Sequence, residues 1–391
     1  MQHRKMLIVC HEYPPIGGGG ATAVRILAEE QVRMGREVTV LTSGMRDLPA
    51  RERQAGVEIV RTSCRRSARH YSTAAELATW IPGALLEGRR LLRARRFDAI
   101  HAHFIVPGAM VAVPLARGFG IPLTLTAHGS DVPGYNPDRF DMIHRLIRPL
   151  WRYLVNSADK VTLPSAHLSS LLRQAGGPNA VLVPNPFAPQ PGIPTRAKVP
   201  HRILVATRLV PRKGVQDLIA AVAGMTEPVE LIVAGDGPHA PQLRQQAEEL
   251  NCPVDFRGFL PRETLAELYA SSAIFVLPSS HENFPMVLLE AMGAGCAVVT
   301  TTAPGCREVV GEAGICVPAG DVEALRAQLV RLVRDPALAR EYGQRGEQRV
   351  TQFAPDLVAE AFDRVYGSSA ENGSNRTPWF GSSPRPHTGV H

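Results

Sequence analysis

The sequence predicts an α/β protein made of two doubly wound, Rossmann-like domains. Short apolar runs alternate with helix-length amphipathic segments along most of the chain, the pattern of parallel strands joined by helical crossovers. The alternation breaks once, near 186–200, and then starts again. With 391 residues, 45% of them hydrophobic, the chain is long enough to fill two cores.

In the first domain, residues 1–185, apolar runs predict strands near 6–11, 37–42, 57–61, 99–103, 122–127, 160–163 and 181–184. Amphipathic segments predict helices near 20–34, 73–95, 107–117, 138–157 and 166–174. Asn185-Pro186 opens a stretch with five prolines up to Pro200, which reads as the linker 186–200. In the second domain, 201–350, the strands fall near 202–207, 229–234, 254–257, 273–277, 297–301 and 315–317. Its helices fall near 214–224, 239–250, 262–270, 285–293, 305–310, 321–334 and 336–350. A closing helix occupies 355–366 within the segment 351–366. Residues 367–391, rich in Ser, Gly, Pro and Asn, read as a disordered tail. Open α/β sheets bind ligands outside the carboxyl ends of their strands, so the cleft between two such domains is the expected active site.

Composition excludes several classes. No apolar run approaches the length of a membrane span. The stretch Met1 to Lys5, followed only by Met6-Leu7-Ile8-Val9-Cys10, reads as a first strand and is too short for a signal peptide. Six cysteines without a C-x-x-C pair indicate neither a zinc site nor a disulfide framework, so the cytoplasm is the expected compartment. Charge is uneven, with 24 Lys and Arg against 14 Asp and Glu in residues 1–185, and 19 against 22 in the rest. Arginines cluster at 61, 65, 66 and 69, and again at 89, 90, 93, 95 and 96. They form either a solvated basic face or a surface for peripheral contact with an anionic membrane or acidic glycan. Nucleic acid is not expected, because no aromatic residues interleave with these arginines to stack bases.

The most informative stretch runs from Ser279 to Glu290. The apolar strand 273–277 ends at Pro278, a short polar loop follows, and Pro285 suits the first position of a helix. Backbone N–H groups of Met286 and Val287 at that helix start favour an anion such as a phosphate. Glu282 precedes the helix and Glu290 lies inside it, a layout suited to hydroxyls on either side of a phosphate. An alternative reading is two solvated glutamates at an ordinary strand-to-helix turn.

Other segments add to this. Gly17 and Gly18 belong to the run Gly17-Gly18-Gly19-Gly20 after the first strand, which reads as a phosphate or sugar contact by closely approaching or positive-φ backbone, or else as a plain flexible loop. Gly18 to Ala23 formally match a dinucleotide fingerprint, but Pro14-Pro15 interrupt the required tight turn, and no acid follows the second strand to hold a ribose. His128 closes the strand 122–127 at the sheet's carboxyl edge, and Asp131 is placed to cap the following turn. Arg208 and Lys213, five apart on the loop after 202–207, could straddle a diphosphate, Arg208 through its fork and Lys213 as a point charge. Gly235-Asp236-Gly237-Pro238 reads as a turn, and Gly258-Phe259-Leu260 as a strand end able to seat a base. The D-x-D pair that usually holds a divalent metal under a nucleotide-sugar diphosphate is missing.

Arg208 with Lys213, the Gly258-Phe259-Leu260 turn, and Glu282-x7-Glu290 enclosing Phe284-Pro285 together resemble the retaining glycosyltransferases of the GT-B fold, family four. The resemblance runs from Met6 to about Tyr366 and takes in the Gly-rich loop and the pair His128-Gly129. It departs from the family at Thr207, where a glycine is common, and at Arg212, where an acid often precedes the lysine. It implies two Rossmann-like domains facing each other across a deep cleft, with the last helix crossing back to the first domain. It implies that Arg208 and Lys213 hold the donor diphosphate, Glu290 the nucleotide ribose and Glu282 the hydroxyls of the transferred sugar. The backbone of Asn283, Phe284, Pro285, Met286 and Val287 would bind sugar and phosphate, Gly258, Phe259 and Leu260 would frame the base, and His128, Gly17 and Gly18 would face the donor. Catalytic roles then fall to His128, Arg208, Lys213 and Glu282. The expected co-substrate is a UDP- or GDP-linked sugar, the acceptor a glycan or a lipid-linked acceptor, with no metal and no other cofactor. The competing readings are a sugar-nucleotide epimerase or phosphorylase on the same plan, a non-catalytic nucleotide-binding protein, and a dinucleotide oxidoreductase.

Overall fold

The computed structural model describes residues 5–69, 71–190 and 197–367, with the side chains of 137–144 excepted. Its contacts divide the chain into two compact units. The first comprises the described residues up to 190 together with 281–293 and 353–367, and the second comprises 197–280 and 294–352.

The first unit is built on β1 (Lys5–Val9), β2 (Glu37–Gly44), β3 (Arg51–Gln54), β4 (Val57–Ser63), β5 (Ala99–His103), β6 (Leu123–Thr126), β7 (Lys160–Leu163) and β8 (Val181–Leu182). Their order across the sheet is β3-β4-β2-β1-β5-β6-β7-β8. All neighbours are parallel except β3, which runs antiparallel to β4. Strand β1 shows why such a sheet is buried on both sides. Met6 and Ile8 enter one apolar layer while Leu7 and Val9 enter the opposite one. The helices are α1 (Gly19–Arg33), α2 (Ala74–Ala94), α3 (Met110–Phe119), α4 (Pro137–Asn156) and α5 (Ala166–Gln174). To these the unit adds α9 (Met286–Gly293) and α13 (Pro355–Gly367). Helix α13 lies against α1, buries Val358, Phe362 and Val365, and ties Asp363 to Arg36.

The second unit holds β9 (Val199–Ala206), β10 (Glu230–Ala234), β11 (Val254–Gly258), β12 (Ser272–Leu277), β13 (Ala297–Thr301) and β14 (Ile315–Val317). These are parallel in the order β11-β10-β9-β12-β13-β14. Its helices are α6 (Val215–Ala223), α7 (Ala240–Glu249), α8 (Arg262–Ser271), α10 (Pro304–Val310), α11 (Val322–Arg334) and α12 (Pro336–Val350). Ile203 and Val205 of β9 and Ile274 and Val276 of β12 anchor its core beside Leu325 and Leu329 of α11.

Some local expectations change. Strand β3, Arg-Glu-Arg-Gln, is polar and mostly exposed, so it carries no apolar signal; its pairing with β4 alone makes it a strand. The helix expected at 107–117 is a π-type turn at Ile105–Ala109 followed by α3, because Val106 is extended and interrupts helical backbone. Of the expected linker, 191–196 lie outside the described residues and Val199 and Pro200 already belong to β9. The tail lies outside the described residues except for Gly367, the last residue of α13. Among the described residues, no helix is long and apolar enough to cross a membrane.

Candidate functional site

In the second unit the strand order reverses between β9 and β12, and this switch point is where open sheets offer a crevice. The loop after β9 carries Arg208 and Lys213. The chain there makes a short 3-10 turn, Pro211–Lys213, and re-enters helix through Gly214 at φ +69°. Gly214 is required twice over, by that left-handed conformation and because a Cβ would overlap the carbonyl oxygen of Pro278 after β12. The loop after β12 is joined to it directly. Ser280 N–H donates to the Arg212 carbonyl at 2.9 Å, and the Ser279 and Ser280 hydroxyls donate to the same oxygen at 3.2 and 3.1 Å. Arg208 is exposed and Lys213 half-buried.

The turn Gly235-Asp236-Gly237 braces this loop from the other side. Leu209 N–H donates to the Asp236 carbonyl at 2.9 Å, and a Cβ on Gly235 or Gly237 would overlap the carbonyl of Thr207 or Leu209. Gly235 N–H donates in turn to Gly258 O at 2.7 Å, at the end of β11. Gly258 is left-handed, and Phe259 beside it presents a ring that is 65% exposed. The structure thus interlocks the strand-end loops that carry Arg208, Lys213 and Gly258 to Leu260.

The first unit holds the other predicted residues. Helix α9 starts at Met286, with Leu288 N–H donating to the Pro285 carbonyl at 3.1 Å. Glu282, Asn283, Phe284, Pro285 and Met286 are buried, whereas Val287 and Glu290 are half-buried. Phe284 packs edge-on to Phe353, ring centres 5.6 Å apart. The Gly-rich loop comes to the start of this helix, since a Cβ on Gly19 would lie 3.0 Å from Met286 Cγ. Gly18 precedes α1, and Gly17, at φ +104°, is crowded by Glu12 and Ala21. The peptide between Pro14 and Pro15 is cis.

His128 follows β6 and is fixed from several sides. Its N–H and that of Gly129 donate to Asp131 Oδ1 at 3.0 and 2.8 Å, while Asp131 Oδ2 accepts from Ile105 N–H at 2.7 Å. Asp131 therefore satisfies the residues before it and the turn after β5, and does not cap the next turn of the chain. The ring of His128 meets His103, with Nε2 and Nδ1 3.0 Å apart. The His103 ring lies tilted against that of His101, centres 4.1 Å apart, and His101 joins the Thr126 hydroxyl at 2.7 Å and the Tyr366 hydroxyl at 2.8 Å. Burial holds these imidazoles neutral: His101 falls to about 3, helped by His128, and His103 falls well below its usual value. His128 falls to about 4, although Asp131 and Glu12 oppose the shift. At neutral pH His128 is an uncharged hydrogen-bonding group. Glu12 behaves oppositely. Burial would raise its carboxyl, but the hydrogen bond from His11 and the charges of His11, Arg66 and His128 bring it down to about 2.

Sequence reasoning did not single out His101, His103, Glu12 or Ser165. His101-Ala102-His103 offered a signal, since residues two apart in a strand face the same side. Of the clustered arginines, Arg65, Arg69, Arg89, Arg90, Arg93 and Arg96 are exposed, as on a solvated basic face, but others are not. Arg61 is buried and paired with Glu52, and Arg66 is buried 3.7 Å from Glu12. Arg69 pairs with Asp47 and Arg95 with Glu58. Buried guanidinium groups need such partners, so Arg61 and Arg66 serve the fold.

Two Rossmann-like α/β units, one with two cations at its switch point and the other carrying a helix start flanked by Glu282 and Glu290, define the class by fold. Comparison with known proteins makes the class specific. Residues 18–187 match the family model "Glycosyl transferase 4-like domain", and residues 200–335 match "Glycosyl transferases group 1". The chain is 30% identical to the phosphatidyl-myo-inositol mannosyltransferase of Mycobacterium leprae, over 94% of this chain and 97% of the relative. Among solved structures, sucrose-phosphate synthase from Thermosynechococcus elongatus superposes with a TM-score of 0.78 at 23% identity, covering 93% of this chain and 98% of that one. Anabaena HepE in complex with UDP-glucose superposes with a TM-score of 0.72 at 19% identity, covering 93% and 99%. The fold is GT-B, and the chain belongs to the group 1, family-four-like glycosyltransferases.

Proposed function

We propose that this glycosyltransferase is retaining and metal-independent, and moves a hexose-type sugar from a UDP- or GDP-linked donor to a hydroxyl of a glycan or lipid-linked acceptor. The setting we infer is bacterial cell-surface polysaccharide or glycolipid synthesis, in the cytoplasm and peripherally on the inner face of the cytoplasmic membrane. The observation that carries the reading is the loop 207–214, in which Arg208 and Lys213 stand at the switch point of the second sheet on a backbone braced by Pro278, Ser280 and Asp236. Cations fixed in this way suit a leaving diphosphate, because preorganised donors stabilise charge without reorganising as it develops. The UDP-glucose complex of HepE supports a nucleotide sugar as donor.

In this reading Arg208 and Lys213 hold the diphosphate, Glu290 the ribose and Glu282 the hydroxyls of the transferred sugar. The backbone from Asn283 to Val287 binds sugar and phosphate, and Gly258 to Leu260 frame the base. His128, neutral, hydrogen-bonds the sugar beside Gly17 and Gly18. Bond making and breaking occur on one face of the sugar, and the departing phosphate oxygen takes the proton of the acceptor hydroxyl. Membrane contact has support in α4. Leu146 is 82% exposed, and Leu150 and Tyr153 follow on the same face among exposed Arg145, Arg148 and Arg152.

The test is thermal stabilisation by UDP, GDP and ADP in the presence of EDTA, on the wild type, Arg208→Ala and Lys213→Ala. A ligand at about 100 times its dissociation constant adds about 2.7 kcal/mol. One nucleotide should stabilise the wild type and neither variant, and each variant should lose about 10²–10³ in turnover. No shift with any nucleotide, with EDTA or with magnesium, would overturn the reading.

A further inference from the structure

The side chain of Asn283 is engaged at both ends of its amide. Ser165 Oγ donates to Asn283 Oδ1 at 2.6 Å, and Asn283 Nδ2 donates to the carbonyl oxygen of His128 at 2.8 Å. Asn283 is 5% exposed and Ser165 is fully buried. Each partner is itself immobilised. Ser165 Oγ accepts the Leu168 N–H at 3.1 Å as the cap of α5, and the other side of the His128 residue is held by Asp131 through its N–H. Asn283 is next to Glu282 in sequence, so one buried amide connects the loop bearing Glu282 to the loop bearing His128.

We propose that Asn283 is a positioning residue whose side-chain amide holds the Glu282 loop and the His128 loop in register. The functional consequence rests on the proposed donor contacts of Glu282 and His128; the clamp itself does not. The chemistry asks for an amide. At this length only asparagine offers an acceptor to Ser165 and a donor to a carbonyl at once. An ionised aspartate would set a second acceptor against the His128 oxygen, and leaving buried groups unmatched costs more than the bond is worth. A protonated aspartate recovers the arrangement, its carbonyl accepting from Ser165 and its O–H donating to His128. Burial beside a carbonyl favours that neutral form.

Asn283→Ala and Asn283→Asp separate this role from simple packing. The measurements are hydrogen exchange in 128–132 and 281–285, and donor hydrolysis with UDP-glucose, UDP-N-acetylglucosamine and GDP-mannose from alkaline to acid pH. Asn283→Ala, which deletes both hydrogen bonds, should exchange faster than wild type in both segments and lose at least about tenfold in kcat. Asn283→Asp should match Asn283→Ala at alkaline pH and approach wild type, at equal pH, as the medium is acidified. Unchanged exchange in Asn283→Ala, or an aspartate variant that tracks the alanine variant at every pH, would overturn the clamp. If the wild type hydrolyses none of the three donors, the donor reading fails, while the exchange data still decide the clamp.

Discussion

Gly214→Ala perturbs the loop that carries the proposed diphosphate cations, and the structure fixes the size of the effect. Gly214 lies at φ +69° and ψ 15°, a conformation that costs an alanine about 1–2 kcal/mol. Its Cβ would also overlap the Pro278 carbonyl oxygen and come to 3.3 Å from Asp217 Oδ2. Relieving an overlap of this kind in packed surroundings costs about 1–3 kcal/mol. The two terms together give about 2–5 kcal/mol, which at about 2–4 °C per kcal/mol lowers the melting temperature of the second unit by roughly 4–20 °C. Gly258→Ala is the internal control. Gly258 is also left-handed, at φ +66°, but a Cβ there meets nothing within 4 Å, so it should lose only the conformational share of about 1–2 kcal/mol. Urea denaturation of both variants supplies the comparison, and UDP binding to Gly214→Ala reports whether Lys213 has moved. Equal denaturation midpoints for the two variants would refute the overlap with Pro278 and the rigid loop that depends on it.

Two further predictions concern the first unit. His101 and His128, brought to about 3 and about 4, and His103, held well below its usual value by burial, are neutral when folded but titrate near 6.5 when unfolded. Unfolding therefore takes up protons, so stability is full above about pH 6.5 and falls as the pH drops toward 4. Glu12, brought to about 2, acts in the same direction at lower pH, where its unfolded form binds a proton first. Urea midpoints that stay level between neutral and mildly acid pH would contradict the buried neutral histidines. On α4, replacing Leu146 and Leu150 together by serine should change stability by no more than about 0.5 kcal/mol, since both side chains are exposed. The same double variant should float less with vesicles containing phosphatidylglycerol; equal flotation would remove α4 from any membrane contact.

Much of the fold was legible because its signals are local. Strands β1, β9 and β12 are apolar on both faces, and only a strand covered by helices on both sides of a parallel sheet can be so. Pro285 marked the entry to α9, the glycines after β1 marked a close approach that the structure shows at Gly17 and Gly19, and Gly235 and Gly237 marked the turn after β10. The features that escaped lacked any apolar period. Strand β3 is a polar edge strand whose only evidence is its partner. Asp131 has the local setting of a cap for the next turn, but its carboxylate accepts from N–H groups of earlier residues, a choice set by the path of the chain after β5.

The sequence alone determined most of the segments that form strands and helices, that there are two units of this kind, and which side chains carry charge at strand ends. Those features depend on neighbours within a few residues. Tertiary structure decided which distant groups meet. Ser165 and Asn283 are 118 residues apart, Asn283 and the His128 carbonyl 155, and Tyr366 and His101 265. No periodicity encodes such pairs, because they depend on the order of strands in a sheet and on where α9 and α13 pack. The same holds for the arginines. Arg61 and Arg66 read as part of a charged run, yet burial beside Glu52 and Glu12 makes them structural, and only the folded chain sets the solvation of a charge.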